Sequence, residues 1–239
     1  MKKKLLTVLK KNTDCTNPGL LKGVKVAIFD MDGTLLDSMT MWSNVPFLYL
    51  EQKGIKNIPD RKQLWDEFKV LSLQDAAKIF QKKYGFEQDC QKIIEEIDDL
   101  VYEQYAKVIQ AKPGVKKFLS ALKKAKIPCG MATATDRRCV EVALANLKLS
   151  DYIDTIATCS EAGASKDNNP AVYDMIAQRF SCKREECIVF EDALHGVRTA
   201  RAAGYKVLAV EDSVAVESHE WEISCSIAHS RLTKWWCGK

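Results

Sequence analysis

The 239-residue chain is 46% hydrophobic and 28% charged, a balance that supports a sizeable core and excludes wholesale disorder. Its formal net charge of +4 is smaller than the charge carried by Lys2, Lys3, Lys4, Lys10 and Lys11 alone, so the remainder is near neutral and offers no nucleic-acid surface. Nine cysteines, an odd number without a Cys-x-x-Cys pair, argue against a disulfide framework or a zinc site and point to a reducing, cytoplasmic setting.

In chain order, the basic start runs into Leu5-Leu6-Thr7-Val8-Leu9, too short an apolar stretch for a secretory signal. It reads as a solvated extension over residues 1–22, and no stretch approaches the ~20 apolar residues of a membrane span. Residues 24–29 form an apolar strand. From about 39 to 109 the pattern is helical only: Met39 to Lys53, Arg61 to Phe68, a segment carrying Leu73, Ala76, Ala77 and Phe80, and one carrying Ile93, Ile97, Leu100, Val101, Tyr105 and Val108. The last two have the i, i+3, i+4, i+7 spacing of amphipathic helices.

After Pro113-Gly114 strands and helices alternate. Strands are expected at 127–132, 152–157, 187–190 and 205–210, with helices through Val115–Leu122, Val140–Leu147, Val172–Phe180 and Leu194–Ala203 between them. Such alternation implies right-handed crossovers and a parallel, doubly wound α/β sheet. The helical block is then an inserted domain over 39–110, set into a Rossmann-like core made of 23–38 and 111–239. Past Val210, loop and helix are expected over Asp212–Glu222, a last strand over Ile223–Ala228, and a packed tail or contact patch at Trp235-Trp236-Cys237.

Ligands of open α/β sheets gather at the carboxyl ends of the strands. The first strand ends in Asp30-Met31-Asp32-Gly33-Thr34, where a chain curling out of its strand can turn both carboxylates to one pocket, Gly33 supplying the bend. The second ends in Thr133, with Asp136 placed to cap the next helix, and the fourth ends in Glu191-Asp192. Lys166 lies in the loop before Pro170. Two aspartates plus a Glu-Asp pair gather more negative charge than a buried site tolerates without a cation. Hard oxygen donors of this kind suit Mg²⁺.

With these motifs in order, residues 24–210 resemble the haloacid dehalogenase superfamily of aspartate-nucleophile phosphohydrolases, in the branch with a helical cap between its first two motifs. Asp30-Met31-Asp32-Gly33-Thr34 is similar to the first motif, Thr133 to the second, Lys166 to the third, and Glu191-Asp192 with Gly196 and Ala202-Ala203-Gly204 to the fourth. The family spaces its lysine three residues before a proline, so Lys166, four before Pro170, requires a one-residue loop insertion.

The resemblance implies a phosphatase in which Asp30 attacks phosphorus and forms an aspartyl-phosphate. Asp32 moves the protons, Thr133 and backbone amides hold phosphoryl oxygens, and Lys166 neutralises charge. Asp30, the Asp32 carbonyl and Asp192 bind Mg²⁺, with Glu191 a further ligand, direct or through water. Aspartate at position 32, where family dehalogenases carry tyrosine and phosphonatases alanine, favours phosphate esters.

The expected partner is a small phosphorylated metabolite, a sugar or polyol phosphate, handled by a monomer or weak dimer without nucleic acid or membrane. A phosphomutase of the β-phosphoglucomutase kind shares all four motifs, but in ungapped comparison it has a cap arginine where this chain has Leu73. A catalytically silent binding protein is the third reading, opposed by the intact Asp30 and Asp32. Asp37-Ser38 is expected to cap the first inserted helix, and His195 to be structural.

Overall fold

A computed structural model describes residues 20, 22–68, 71, 73–233 and 235. The expected extension, apart from Leu20 and Lys22, lies outside the described residues, as do Trp236 and Cys237. By its contacts the chain divides into a unit formed by the stretches either side of an insertion and a second unit, Ser38–Ile109.

The first unit is built on six parallel strands: β1 (Val26–Phe29), β2 (Cys129–Thr133), β3 (Thr155–Thr158), β4 (Cys187–Glu191), β5 (Lys206–Val210) and β6 (Ser230–Leu232). Their spatial order is β3-β2-β1-β4-β5-β6, the doubly wound arrangement whose strand order reverses beside the first strand. Every residue of β1, β2 and β4 is buried, because helices cover both faces and a parallel sheet then needs continuous apolar runs.

Alternation along β1 sends Val26 and Ile28 into a core shared with Val172, Tyr173 and Ile176 of the helix Ala171–Arg179 and Val197 and Ala200 of the helix Leu194–Ala202. Phe29 faces the other way, stacked on Phe190 at 4.6 Å and edge-on to Phe118 of the helix Val115–Lys124 at 6.4 Å. Gly130 is required on the first face, since a Cβ there would lie 2.3 Å from Ile176 Cγ2.

The second unit is entirely helical among its described residues: Met39–Gln52, Arg61–Phe68, Leu73–Tyr84 and Cys90–Lys107. Its core includes Phe80, edge-on to Tyr49 at 5.0 Å and stacked on Phe68 at 4.8 Å, and the helix Cys90–Lys107 buries Ile93, Ile97, Val101 and Tyr105. Buried Tyr49 donates to Glu96 at 2.7 Å, and Lys53 pairs with the same carboxylate at 2.6 Å. No helix among the described residues is long and apolar enough to cross a membrane.

Three local expectations change. The segment Ile223–Ala228 is not a strand: residues 220–227 form a helix, with Trp221 and Ser224 turned inward and Ile223 exposed. That spacing is helical rather than alternate, and the last strand follows at β6. Ser38 holds the cap position of the helix Met39–Gln52, but its backbone is already helical (φ −113°, ψ −12°) and its side chain makes no capping bond. Strand β3 starts at Thr155 because Ser150–Tyr152 closes a 3₁₀ turn.

Candidate active site

The reversal of strand order falls between β1 and β4, and both strands run out into acids. The Asp30 N–H donates to the Phe190 carbonyl at 2.9 Å, so the ladder persists one residue past β1 and fixes Asp30 beside Glu191-Asp192. Beyond it Gly33 takes φ 72°, and its N–H donates to the Leu36 carbonyl at 3.0 Å. Only glycine enters that left-handed region without strain, so the bend expected at Gly33 is present.

Oxygens of Asp30, Glu191 and Asp192, all buried, lie within 4.8 Å of one another. Lys166, only 4% exposed, enters this group and donates to Asp30 Oδ1 and, at 2.9 Å, to Glu191 Oε2. In its loop Asn168 takes φ 59°, and its N–H donates to the Thr199 hydroxyl at 3.0 Å. Burial opposes the charge on Lys166, but the attraction of Asp30 and Glu191 outweighs it and holds the ammonium protonated well above its ordinary range.

The carboxylates are shifted the other way. Burial, then the charge of Glu191, raises Asp30 well above the usual range against the pull of Lys166. The same two causes push Asp192 up to about 8, opposed by a hydrogen bond from Thr34 Oγ1 to its Oδ1 at 2.9 Å. One ammonium therefore leaves the acids under-neutralised, and their hard oxygen donors fit a small divalent cation.

Glu191 is committed elsewhere. Its Oε2 accepts from Lys166 and, at 2.7 Å, from the Tyr173 hydroxyl, and its Oε1 accepts from the Ala193 N–H at 3.3 Å. It shares the lysine with Asp30, whereas Asp192 is held by the Thr34 hydroxyl.

Asp32 is half-buried and turned to a different partner, accepting from Thr135 Oγ1 at 2.6 Å. Thr133, buried at the end of β2, accepts the Thr135 N–H at 3.1 Å. The second motif thus reaches Asp32 through Thr135. Asp136 caps the next helix, accepting the Arg138 N–H at 2.9 Å, as its sequence position suggested. His195 is exposed on the first turn of its helix.

Thr34, Thr135 and Tyr173 escaped the sequence reading as functional positions. Thr34 and Thr135 sit inside or beside the motifs, whereas Tyr173 shares the apolar spacing of its helix and gives no polar signal. The close approach of Gly196 to Glu191, where a Cβ would lie 2.5 Å from Cδ, is likewise a tertiary fact.

Comparison with known proteins places the chain in a family. The family model for haloacid dehalogenase-like hydrolases matches residues 27–210. Hexitol phosphatase B of Escherichia coli is 24% identical over 188 residues, covering 78% of this chain and 83% of its own length. The phosphorylated carbohydrates phosphatase of Thermotoga maritima is 25% identical over 191 residues, 76% of this chain and 82% of its own. Among solved structures, CbbY of Rhodobacter sphaeroides in complex with xylulose-(1,5)bisphosphate shares the fold, with a TM-score of 0.71 at 19% identity over 89% of this chain and 95% of that one. The acids at the β1 and β4 ends, the buried lysine between them and the extent of the match establish that the chain belongs to the haloacid dehalogenase-like hydrolases and is a hydrolase of the phosphatase kind.

Proposed function

We propose that the protein is a Mg²⁺-dependent phosphatase of small phosphorylated sugars or polyols, with Asp30 as nucleophile. The observation that carries this reading is the buried Lys166 set between Asp30 and Glu191 at the strand-order reversal, with Asp32 held nearby by a separate hydrogen bond. The names of the two curated relatives, one a hexitol phosphatase and the other a phosphatase of phosphorylated carbohydrates, support the substrate class.

In this mechanism an Asp30 carboxylate oxygen attacks phosphorus in line with the ester oxygen. The phosphorus–oxygen ester bond breaks, and Asp32 gives its proton to the leaving oxygen. Asp32, now ionised, takes a proton from water, which attacks the aspartyl-phosphate, releases phosphate and restores Asp30. One carboxyl serves both steps because they require opposite protonation states. Lys166 stays cationic and screens the charge of the phosphoryl group and of Asp30, while Thr133 and the backbone amides near Gly33 and Ala134 receive phosphoryl oxygens.

Asp30, Asp192 and the Asp32 carbonyl would hold Mg²⁺, which when bound neutralises the acids and keeps Asp30 ionised for attack. The helical unit is assigned as the cap that selects the leaving group. Leu73, apolar and 46% exposed, supplies no cation of the kind the mutase reading needs.

The test is hydrolysis of p-nitrophenyl phosphate with Mg²⁺ or EDTA, for wild type and Asp30→Asn. Turnover should require the metal and vanish in the variant; activity that survives Asp30→Asn sinks the aspartyl-phosphate mechanism. A screen of sugar and polyol phosphates read by phosphate release then identifies the substrate. Glucose 1-phosphate converted to glucose 6-phosphate without free phosphate would instead establish a mutase.

A further inference from the structure

Beyond β6 the chain turns back onto the sheet, and Trp235 lies outside the stretch that the family model matches. It is 3% exposed. Its ring rests on three aromatics of the sheet face opposite Val26 and Ile28: Phe118 at 5.1 Å, Phe190 at 5.6 Å and Phe29 at 6.0 Å between centroids. Phe29 immediately precedes Asp30, and Phe190 immediately precedes Glu191-Asp192. One indole therefore covers the last apolar residue of both strands that deliver the acids.

Its polar edge is equally specific. The Trp235 Nε1–H donates to the Thr34 carbonyl at 3.0 Å, in a buried bond. The hydroxyl of the same threonine donates to Asp192 Oδ1 at 2.9 Å. The turn that follows Asp30 is thus tied on one side to an acid of the candidate metal site and on the other to the C-terminal segment. Packing alone would be met by any large apolar ring; the directed N–H is what distinguishes tryptophan from phenylalanine here.

We propose that Trp235 is a positioning residue that fixes the Thr34 turn, and through it Asp192, for divalent-cation binding. The C-terminal segment then contributes to a site whose acids lie at the ends of β1 and β4. The proposal rests on the Mg²⁺ reading of that site. Loss of the indole N–H leaves the buried Thr34 carbonyl without this donor, a change large enough to shift the turn's preferred geometry.

The test is calorimetric titration of Mg²⁺ into the metal-free, full-length protein, with no substrate present. Trp235→Phe should weaken Mg²⁺ binding about fivefold or more while thermal unfolding stays cooperative, and in kinetics the Mg²⁺ half-saturation should move with it. In a cycle with Thr34→Val the two effects should be non-additive, because both act on one chain of contacts. Wild type binding Mg²⁺ with Trp235→Phe changed less than fivefold, or additive effects, would overturn the positioning role alone. Wild type that binds no Mg²⁺ would overturn the metal assignment beneath it. If Trp235→Phe fails to fold, Trp235→His, which keeps a ring N–H, should retain more affinity than Trp235→Leu; equal losses would overturn the proposal.

Discussion

The Thr135 hydroxyl donates to Asp32 Oδ2 at 2.6 Å, joining the turn after β2 to the turn after β1. This bond orients the carboxyl assigned to proton transfer, and Thr135 is itself held by Thr133. Thr135→Val should lower kcat about tenfold with KM little changed, Thr135→Ser should recover most of the loss, and Asp32→Asn should cost about 10²–10⁴. Steady-state kinetics on p-nitrophenyl phosphate decides it; an unaltered kcat in Thr135→Val would remove Thr135 from the mechanism.

Lys166 is the only cation placed between Asp30 and Glu191 among the described residues. Lys166→Met keeps the stem but leaves two buried carboxylates facing each other. We expect a loss of about 3–5 kcal/mol in unfolding free energy for removing one partner of a buried ion pair, and a fall of orders of magnitude in turnover. Urea unfolding and kinetics measured together check both, and a variant of near-normal rate would show that the third motif is misassigned.

Metal-free stability should depend on pH in a definite direction. The folded Asp192 carboxyl titrates at about 8, whereas in the unfolded chain it titrates near about 4. Between those values the native state keeps a proton that the unfolded chain has released. Its stabilising contribution is therefore fully present on the acid side and is lost as pH rises through about 8. In EDTA, Tm should decline from about pH 5 to about pH 8, less steeply in Asp192→Asn, and added Mg²⁺ should restore it most at the alkaline end. A wild-type slope no steeper than that of Asp192→Asn would contradict this.

Gly196 supplies a purely steric test. A Cβ at this position would come within 2.5 Å of Glu191 Cδ and 2.7 Å of its Oε2, and Glu191 is buried and pinned by Lys166 and Tyr173. Gly196→Ala should cost about 1–3 kcal/mol by overpacking and also reduce activity, because the displaced carboxylate carries the lysine with it. Denaturant unfolding with the wild-type midpoint would show that the helix moves instead.

The sequence was most legible where local chemistry and fold agree. β1 and β4 are continuous apolar runs ending in acids, and three strand ends with the Lys166 loop could be assembled from the alternation of elements. Legibility failed where side chains meet across long separations. Tyr173 looked like core because its ring is core; only its hydroxyl reaches Glu191. Glu191 reads as a further metal ligand, direct or through water, and its contacts with Lys166 and Tyr173 give no signal, because adjacent carboxylates at a strand end look alike in sequence. The tail misled for another reason: Ile223 through Ala228 is apolar enough for a strand, and Trp221 with Ser224 reveals its helical period only when the burial is seen.

The backbone pairing where the chain leaves the first unit and returns to it has a consequence for engineering. Leu36 and Ala111 form an antiparallel bridge, the Asp37 N–H donates to the Gln110 carbonyl at 2.9 Å, and the Lys112 N–H donates to the Leu35 carbonyl at 2.9 Å. In topological terms the whole helical insertion is the loop of a β-hairpin whose stem belongs to the sheet unit. Because the stem bonds are made within the sheet unit, we expect a two-residue Asn-Gly turn between Asp37 and Gln110 to leave intact the ladder that presents Asp30.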